Sequence, residues 1–141
     1  MNILFFLTPK SEVIYVNEED TVGQAMDTME KYKYSAVPII TKAGRYAGTL
    51  TEGDLLWAIK NNYMMNMKDA EGRPVMEVAR KKDYLPVTVT TSPKELISMA
   101  VEQNFVPVVD DREAFIGIVT RQKIMEYCME QYFQKAEHAI S

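Results

Sequence analysis

Apolar and polar positions along the chain fall into blocks that predict short strands and amphipathic helices. Ala36 to Ile40 is an apolar run, Lys42-Ala43-Gly44 is a turn signal, and Tyr46 to Leu50 is a second run. That run leads straight into Thr51-Glu52-Gly53-Asp54, after which Leu55, Leu56, Ala58 and Ile59 stand at helical spacing. The stretch Tyr34 to Lys60 therefore predicts strand, hairpin turn, strand and helix, with Thr51 at the strand-to-helix corner. Upstream, Val13 to Val16 predicts a short strand. Asp20 or Thr21 can cap the helix that follows, whose apolar face is Val22, Ala25, Met26 and Met29.

The same pattern occurs twice. Val37-Pro38-Ile39 recurs as Val106-Pro107-Val108, from 37 to 106, a shift of 69; Gly48 and Gly117, and Thr51 and Thr120, share that shift. A fixed internal period decides the architecture before any single residue does. In the second copy, Leu85 to Val89 predicts a strand, with Pro86 marking an edge or a strand start. Ser92-Pro93-Lys94-Glu95 is a helix start, and Leu96, Ile97, Met99 and Ala100 give that helix its buried face. Phe105 to Val109 and Phe115 to Val119 are the paired strands. In the last helix Met125, Cys128, Met129, Tyr132, Phe133 and Ala136 form a stripe longer than one small repeat needs, so part of it is expected to meet another chain.

A Val-Pro-hydrophobic strand, a turn, and Gly-x-hydrophobic-Thr-x-x-Asp opening a helix resemble the CBS domain, named after cystathionine β-synthase. The resemblance runs over two copies, from about Leu7 to Tyr132. It implies an α+β fold of two CBS repeats, each strand-helix-strand-strand-helix, packed as an intramolecular pseudo-two-fold pair, a Bateman module. The expected division is 1–62 for repeat one with the N-terminal segment, 63–74 for a linker, and 75–141 for repeat two with the C-terminal helix. The resemblance also implies a homodimer and a regulatory role: an adenine nucleotide (AMP, ADP, ATP or cyclic di-adenylate) binds between the repeats and is reported to an effector protein of unknown identity. A structural dimerisation or interaction module with degenerate ligand sites is the alternative.

Composition narrows this further. The chain has 141 residues and a formal net charge of −4, which argues against nucleic acid as the main partner. The single cysteine, Cys128, allows no intrachain disulfide and fits a reducing cytoplasm. The apolar start Ile3 to Leu7 is too short to span a membrane and has no basic region before it, so it is read as packing against the core or a dimer partner. No membrane partner is expected.

The candidate chemistry centres on Thr51 and Asp54. A helix start offers unpaired N–H groups and positive dipole character. From the residues alone, Thr-x-x-Asp is equally a capping box and a ligand site. The resemblance implies the latter, with Asp54 holding ribose hydroxyls and Thr51 near the phosphate. The adenine is then expected against Val13, Ala36, Val37 and Pro38, with Tyr34 or Ser35 at the mouth, and Lys10 is a candidate phosphate contact. Repeat two keeps Thr120 but carries Lys123 at the aspartate position, and lysine accepts no hydrogen bond from a sugar. One nucleoside per chain is therefore expected, with Arg121 and Lys123 available to phosphates. No acid–base pair, nucleophile elbow, phosphate loop or metal-ligand cluster appears in the sequence, so no catalysis, metal or obligatory cofactor is expected.

Overall fold

Apolar side chains gather in two centres, each under a three-stranded sheet. The computed structural model describes residues 2–140. Strands β2 (Val16–Asn17), β3 (Ala36–Ile40) and β4 (Tyr46–Thr51) form one sheet; β1 (Thr8–Pro9), β6 (Phe115–Thr120) and β5 (Phe105–Val109) form the other, each in the order given. Helices α1 (Val22–Tyr32) and α2 (Glu52–Asn61) pack on the first sheet through Val22, Ala25, Met29, Leu55 and Ala58. Helices α4 (Pro93–Ala100) and α5 (Arg121–Ile140) pack on the second through Leu96, Ala100 and Ile124. This is the α+β pair of repeats that the sequence predicts.

Local chemistry sets the helix starts. Thr21 and Gln24 form a complete capping box at α1, and Thr51 and Asp54 form one at α2. Ser92 Oγ accepts the Glu95 N–H at α4, with Pro93 in the first turn. Each cap satisfies backbone donors that a helix leaves unpaired, for about 0.5–2 kcal/mol.

The two halves exchange their lead-in segments. Ile3, 1% exposed, packs in the second core beside Val106 and Val119, and β1 pairs with β6 at Thr8↔Ile118 and Pro9↔Gly117. In return Val75 and Val78 pack in the first core beside Val16 and Leu50. Sequence order attaches 2–9 to the first repeat, whereas their packing ties them to the second. Burying Ile3 alone is worth roughly 1.5–3 kcal/mol, a gain that requires both halves together. Arg45 and Ala114, related by the same shift of 69 (45 to 114), bridge each other in antiparallel fashion, so the pseudo-two-fold axis passes between the hairpin turns.

Two expected strands differ. Of Val13–Val16 only Val16 enters a strand: Lys10–Glu12 forms a turn closed by Val13 N–H to the Lys10 carbonyl, which delays pairing. Leu85–Val89 reduces to one parallel bridge, Val87↔Val108, because the Gln103 side chain takes both backbone groups of Leu85. The 63–74 join is ordered around α3 (Met67–Glu71), whose Ala70 is fully buried. Among the described residues no helix is long and apolar enough to cross a membrane.

Candidate functional site

Two clefts lie between the halves, each bounded by the lead-in and first hairpin strand of one repeat and the helix start of the other. The register makes them counterparts. Ala36 pairs with Thr51 at the mouth of one hairpin, and Phe105 pairs with Thr120 at the mouth of the other. Val16↔Ile39 and Val87↔Val108 are matching parallel pairs, which places Tyr84 at the position of Val13.

The first cleft is open, with a volume of about 340 Å³. Val13, Ile14, Ala36, Pro38, Phe105 and Ile118 form apolar walls. Tyr34, 46% exposed, and Ser35 stand at its edge, and Thr8, Asn104 and Thr120 add polar groups. Glu12 is the one carboxylate among its lining residues. Lys123 Nζ reaches Thr8 Oγ1 at 3.4 Å, so an ammonium borders the cavity, while Thr120 Oγ1 accepts the Lys123 N–H at the start of α5.

The second cleft holds a cavity of about 420 Å³ lined by Thr51, Asp54, Trp57, Lys81, Tyr84 and Gln103, with Lys82 and Glu102 paired at 2.9 Å on its border. Tyr84 packs edge-on against Phe105, ring centroids 4.9 Å apart. Gln103, 5% exposed, bonds the Leu85 N–H and carbonyl and the Phe105 carbonyl. Asp83 accepts the Thr49 N–H at 3.0 Å and is paired with Arg80 at 2.7 Å. Burial opposes ionisation of Asp83, but the Arg80 guanidinium and the Thr49 N–H outweigh it and hold the carboxyl below its ordinary range. The Tyr46 hydroxyl lies 2.7 Å from the Tyr84 carbonyl and 2.6 Å from Thr49 Oγ1. Its single proton goes to the carbonyl, which can only accept, so Thr49 donates to Tyr46. Burial pushes the Tyr46 phenol well up. A further concavity, about 700 Å³, lies away from both clefts beside Tyr63, Arg73 and Glu77, where the two charges are already paired.

The residues expected to hold one nucleotide are therefore divided. Val13, Tyr34, Ser35, Ala36, Pro38 and Thr120 line the first cleft, whereas Thr51 and Asp54 line the second. Asp54 is 7% exposed; Oδ2 accepts the Thr51 N–H and Oδ1 the Lys81 N–H, so each of its oxygens already holds a backbone donor. Val37 belongs to the first core at 1% exposure, because strand alternation turns it away from the face of Ala36 and Pro38. Arg121 Nε donates to the Ala100 carbonyl at the end of α4, a group that a helix terminus leaves unpaired, and to the Gln103 carbonyl beyond it. Lys10 lines neither cleft and lies over the Tyr15 ring. Sequence reasoning missed Glu12 and Asn104, which carry no motif; the repeat register, applied to the lead-in as well as the helix start, is the signal that finds them.

The CBS domain pattern matches residues 6–61 and 75–130. The chain is 31% identical over 115 residues to an inosine-5'-monophosphate dehydrogenase of Methanocaldococcus jannaschii, covering 82% of this chain and 21% of that protein. It spans about a fifth of the length of the curated relatives it matches. Among solved structures, the CbpB protein of Listeria monocytogenes in complex with c-di-AMP superposes with a TM-score of 0.81 at 20% identity, covering 94% of this chain and 97% of that one. CBSX2 in complex with AMP gives 0.74 at 22% identity, covering 93% and 98%. At these identities the likeness is one of fold.

Proposed function

The chain belongs to the CBS domain family, and from that premise we propose that it is a regulatory, non-catalytic module that binds an adenine nucleotide in the open cleft. The observation that carries this reading is the pairing, in one cavity between the halves, of apolar walls with an ammonium at the rim. A purine fits between Val13 and Ile14 on one side and Ala36, Pro38 and Ile118 on the other. Glu12 is placed to accept ribose hydroxyls, the role that Lys123 cannot fill. Lys123 and the N-terminal amides of the 20-residue α5 receive the phosphates. The structural relatives bound to AMP and to c-di-AMP support an adenine ligand.

A ligand there ties the lead-in of the first half to β6 and α5 of the second, and so favours one placement of the halves. A partner that distinguishes those placements reads the nucleotide through differential affinity. Leu56, Met125 and Met129, each 54% exposed, and Tyr132 at 70% leave apolar surface on α2 and α5, which we assign to a second copy of the chain. Light scattering on wild type and on Leu56→Glu with Met129→Glu tests this: a dimer that the double variant splits is expected, and a monomeric wild type rejects it.

A thermal-shift screen over AMP, ADP, ATP and cyclic di-AMP tests the ligand. A nucleotide at a hundredfold its Kd adds about 2.7 kcal/mol and raises the melting temperature. No shift with any of the four favours the second reading, an interaction module without a ligand, which the committed Asp54 carboxylate and the lysine at 123 also support.

A further inference from the structure

We propose that the turn carrying Met64 and Met65, between α2 and α3, is a docking surface for a basic amphipathic helix of a partner protein. The surface lies away from both clefts and is independent of whether the first cleft takes a nucleotide.

Met64 and Met65 have φ of 51° and 63°, the left-handed region that suits glycine and asparagine. Two adjacent residues with a Cβ there strain the backbone, and such strain persists only where the surroundings impose it. Here they do. The Tyr63 and Met65 N–H groups donate to the Ala58 and Ile59 carbonyls near the end of α2, and the Asn66 N–H donates to the Tyr63 carbonyl. Tyr63 itself packs against the first core, with its hydroxyl on Glu77. The turn is therefore held, and it holds its methionines outwards: Met64 is 86% exposed and Met65 67%. Filling gaps in the core, the common use of methionine, explains neither.

Unbranched, polarizable thioethers adapt to partners of varied shape and recur on surfaces that receive the apolar face of a helix. Met64 borders the concavity of about 700 Å³ together with Tyr63, Asn66, Asp69, Arg73 and Glu77. Two carboxylates there face one guanidinium. Arg73 is committed to Glu77, whereas Asp69 has no cationic partner among the described residues. An apolar knuckle beside an unpaired carboxylate complements a helix whose apolar stripe is flanked by lysine or arginine, and it repels an acidic one.

The probe is a synthetic leucine–lysine peptide that forms an amphipathic helix, with a leucine–glutamate peptide of the same pattern as control. With the ε-methyl groups of the chain's ten methionines isotope-labelled, titration followed by NMR should shift Met64 and Met65 saturably and leave Met125 and Met129 on α5 in place. The acidic peptide should shift none of them. Asp69→Asn should weaken the basic peptide about fivefold, the effect of one exposed charge. Replacing both Met64 and Met65 by asparagine, which tolerates the left-handed region, should abolish binding without lowering the denaturation midpoint. No shift at Met64 and Met65, equal shifts with either peptide, shifts that fall on α5 instead, or an affinity indifferent to Asp69 overturns the proposal. So does a clear loss of stability in the double asparagine variant, which would make the two methionines packing residues. Shifts of Met64 and Met65 on concentrating the protein without peptide would give the surface to a second copy of the chain, and overturn it as well.

Discussion

The Asp54 carboxylate holds the backbone N–H of Lys81 at 3.1 Å. This bond joins the helix start of one repeat to the lead-in of the other. The same carboxylate accepts the Thr51 N–H in the capping box of α2.

Asp54→Ala is therefore expected to cost about 0.5–2 kcal/mol of folding stability, the range for a lost helix cap. Nucleotide affinity at the open cleft should not change. Denaturant melts paired with calorimetry on the folded variant separate the two effects; weakened binding at full occupancy would return the sugar-binding role to Asp54.

Lys123→Ala is expected to weaken AMP by about 1 kcal/mol, roughly fivefold, as befits an exposed charge, while leaving adenosine unaffected. The salt dependence of AMP binding should shrink with it. Titrations of AMP and adenosine at two ionic strengths check this, and equal losses for both ligands would place Lys123 away from the phosphate.

Gly117→Ala probes the exchanged lead-in. A Cβ at 117 would press into the Thr8 carbonyl and lie 3.1 Å from Pro9 Cα, so β1 would have to lift from β6. Overpacking of this kind costs about 1–3 kcal/mol. Chemical denaturation reads it, and a neutral result would mean that the lead-in is dispensable.

The lead-in was the least legible part of the chain. The 69-residue shift, the hairpins and the caps at Thr21, Thr51 and Ser92 stand in the sequence because their signals are local. Ile3 to Leu7 reads only as an apolar run, and no local rule says which half it joins. The site was half legible for the same reason. Val13, Ala36, Pro38 and Thr120 do share a cavity, but Thr-x-x-Asp looks alike whether its carboxylate meets a ligand or a backbone amide. The bond from the Lys81 N–H to Asp54 comes from the other half of the chain, and no local pattern carries it.

Asp83 gives the chain an acid-sensitive contact. Its folded-state pKa lies below the ordinary 3.8, since the Arg80 guanidinium and the Thr49 N–H outweigh the opposing effect of burial. Stability from this carboxylate is thus present above the unfolded value and lost as pH falls through the folded one. Between about pH 5 and pH 2, wild type should lose more stability than Asp83→Asn. Melting curves across that range check the sign, and parallel losses would mean that Asp83 contributes nothing.

Ala36→Phe tests the central claim most directly, because it places in the open cleft the ring that Phe105 supplies at the matching position. Calorimetric titration of AMP into wild type and Ala36→Phe is the measurement. Binding at one site per chain in wild type, weakened by about tenfold or more in a variant that stays folded, is the predicted result. Unchanged affinity in folded Ala36→Phe would contradict the account, since no purine could then lie between Val13 and Ala36.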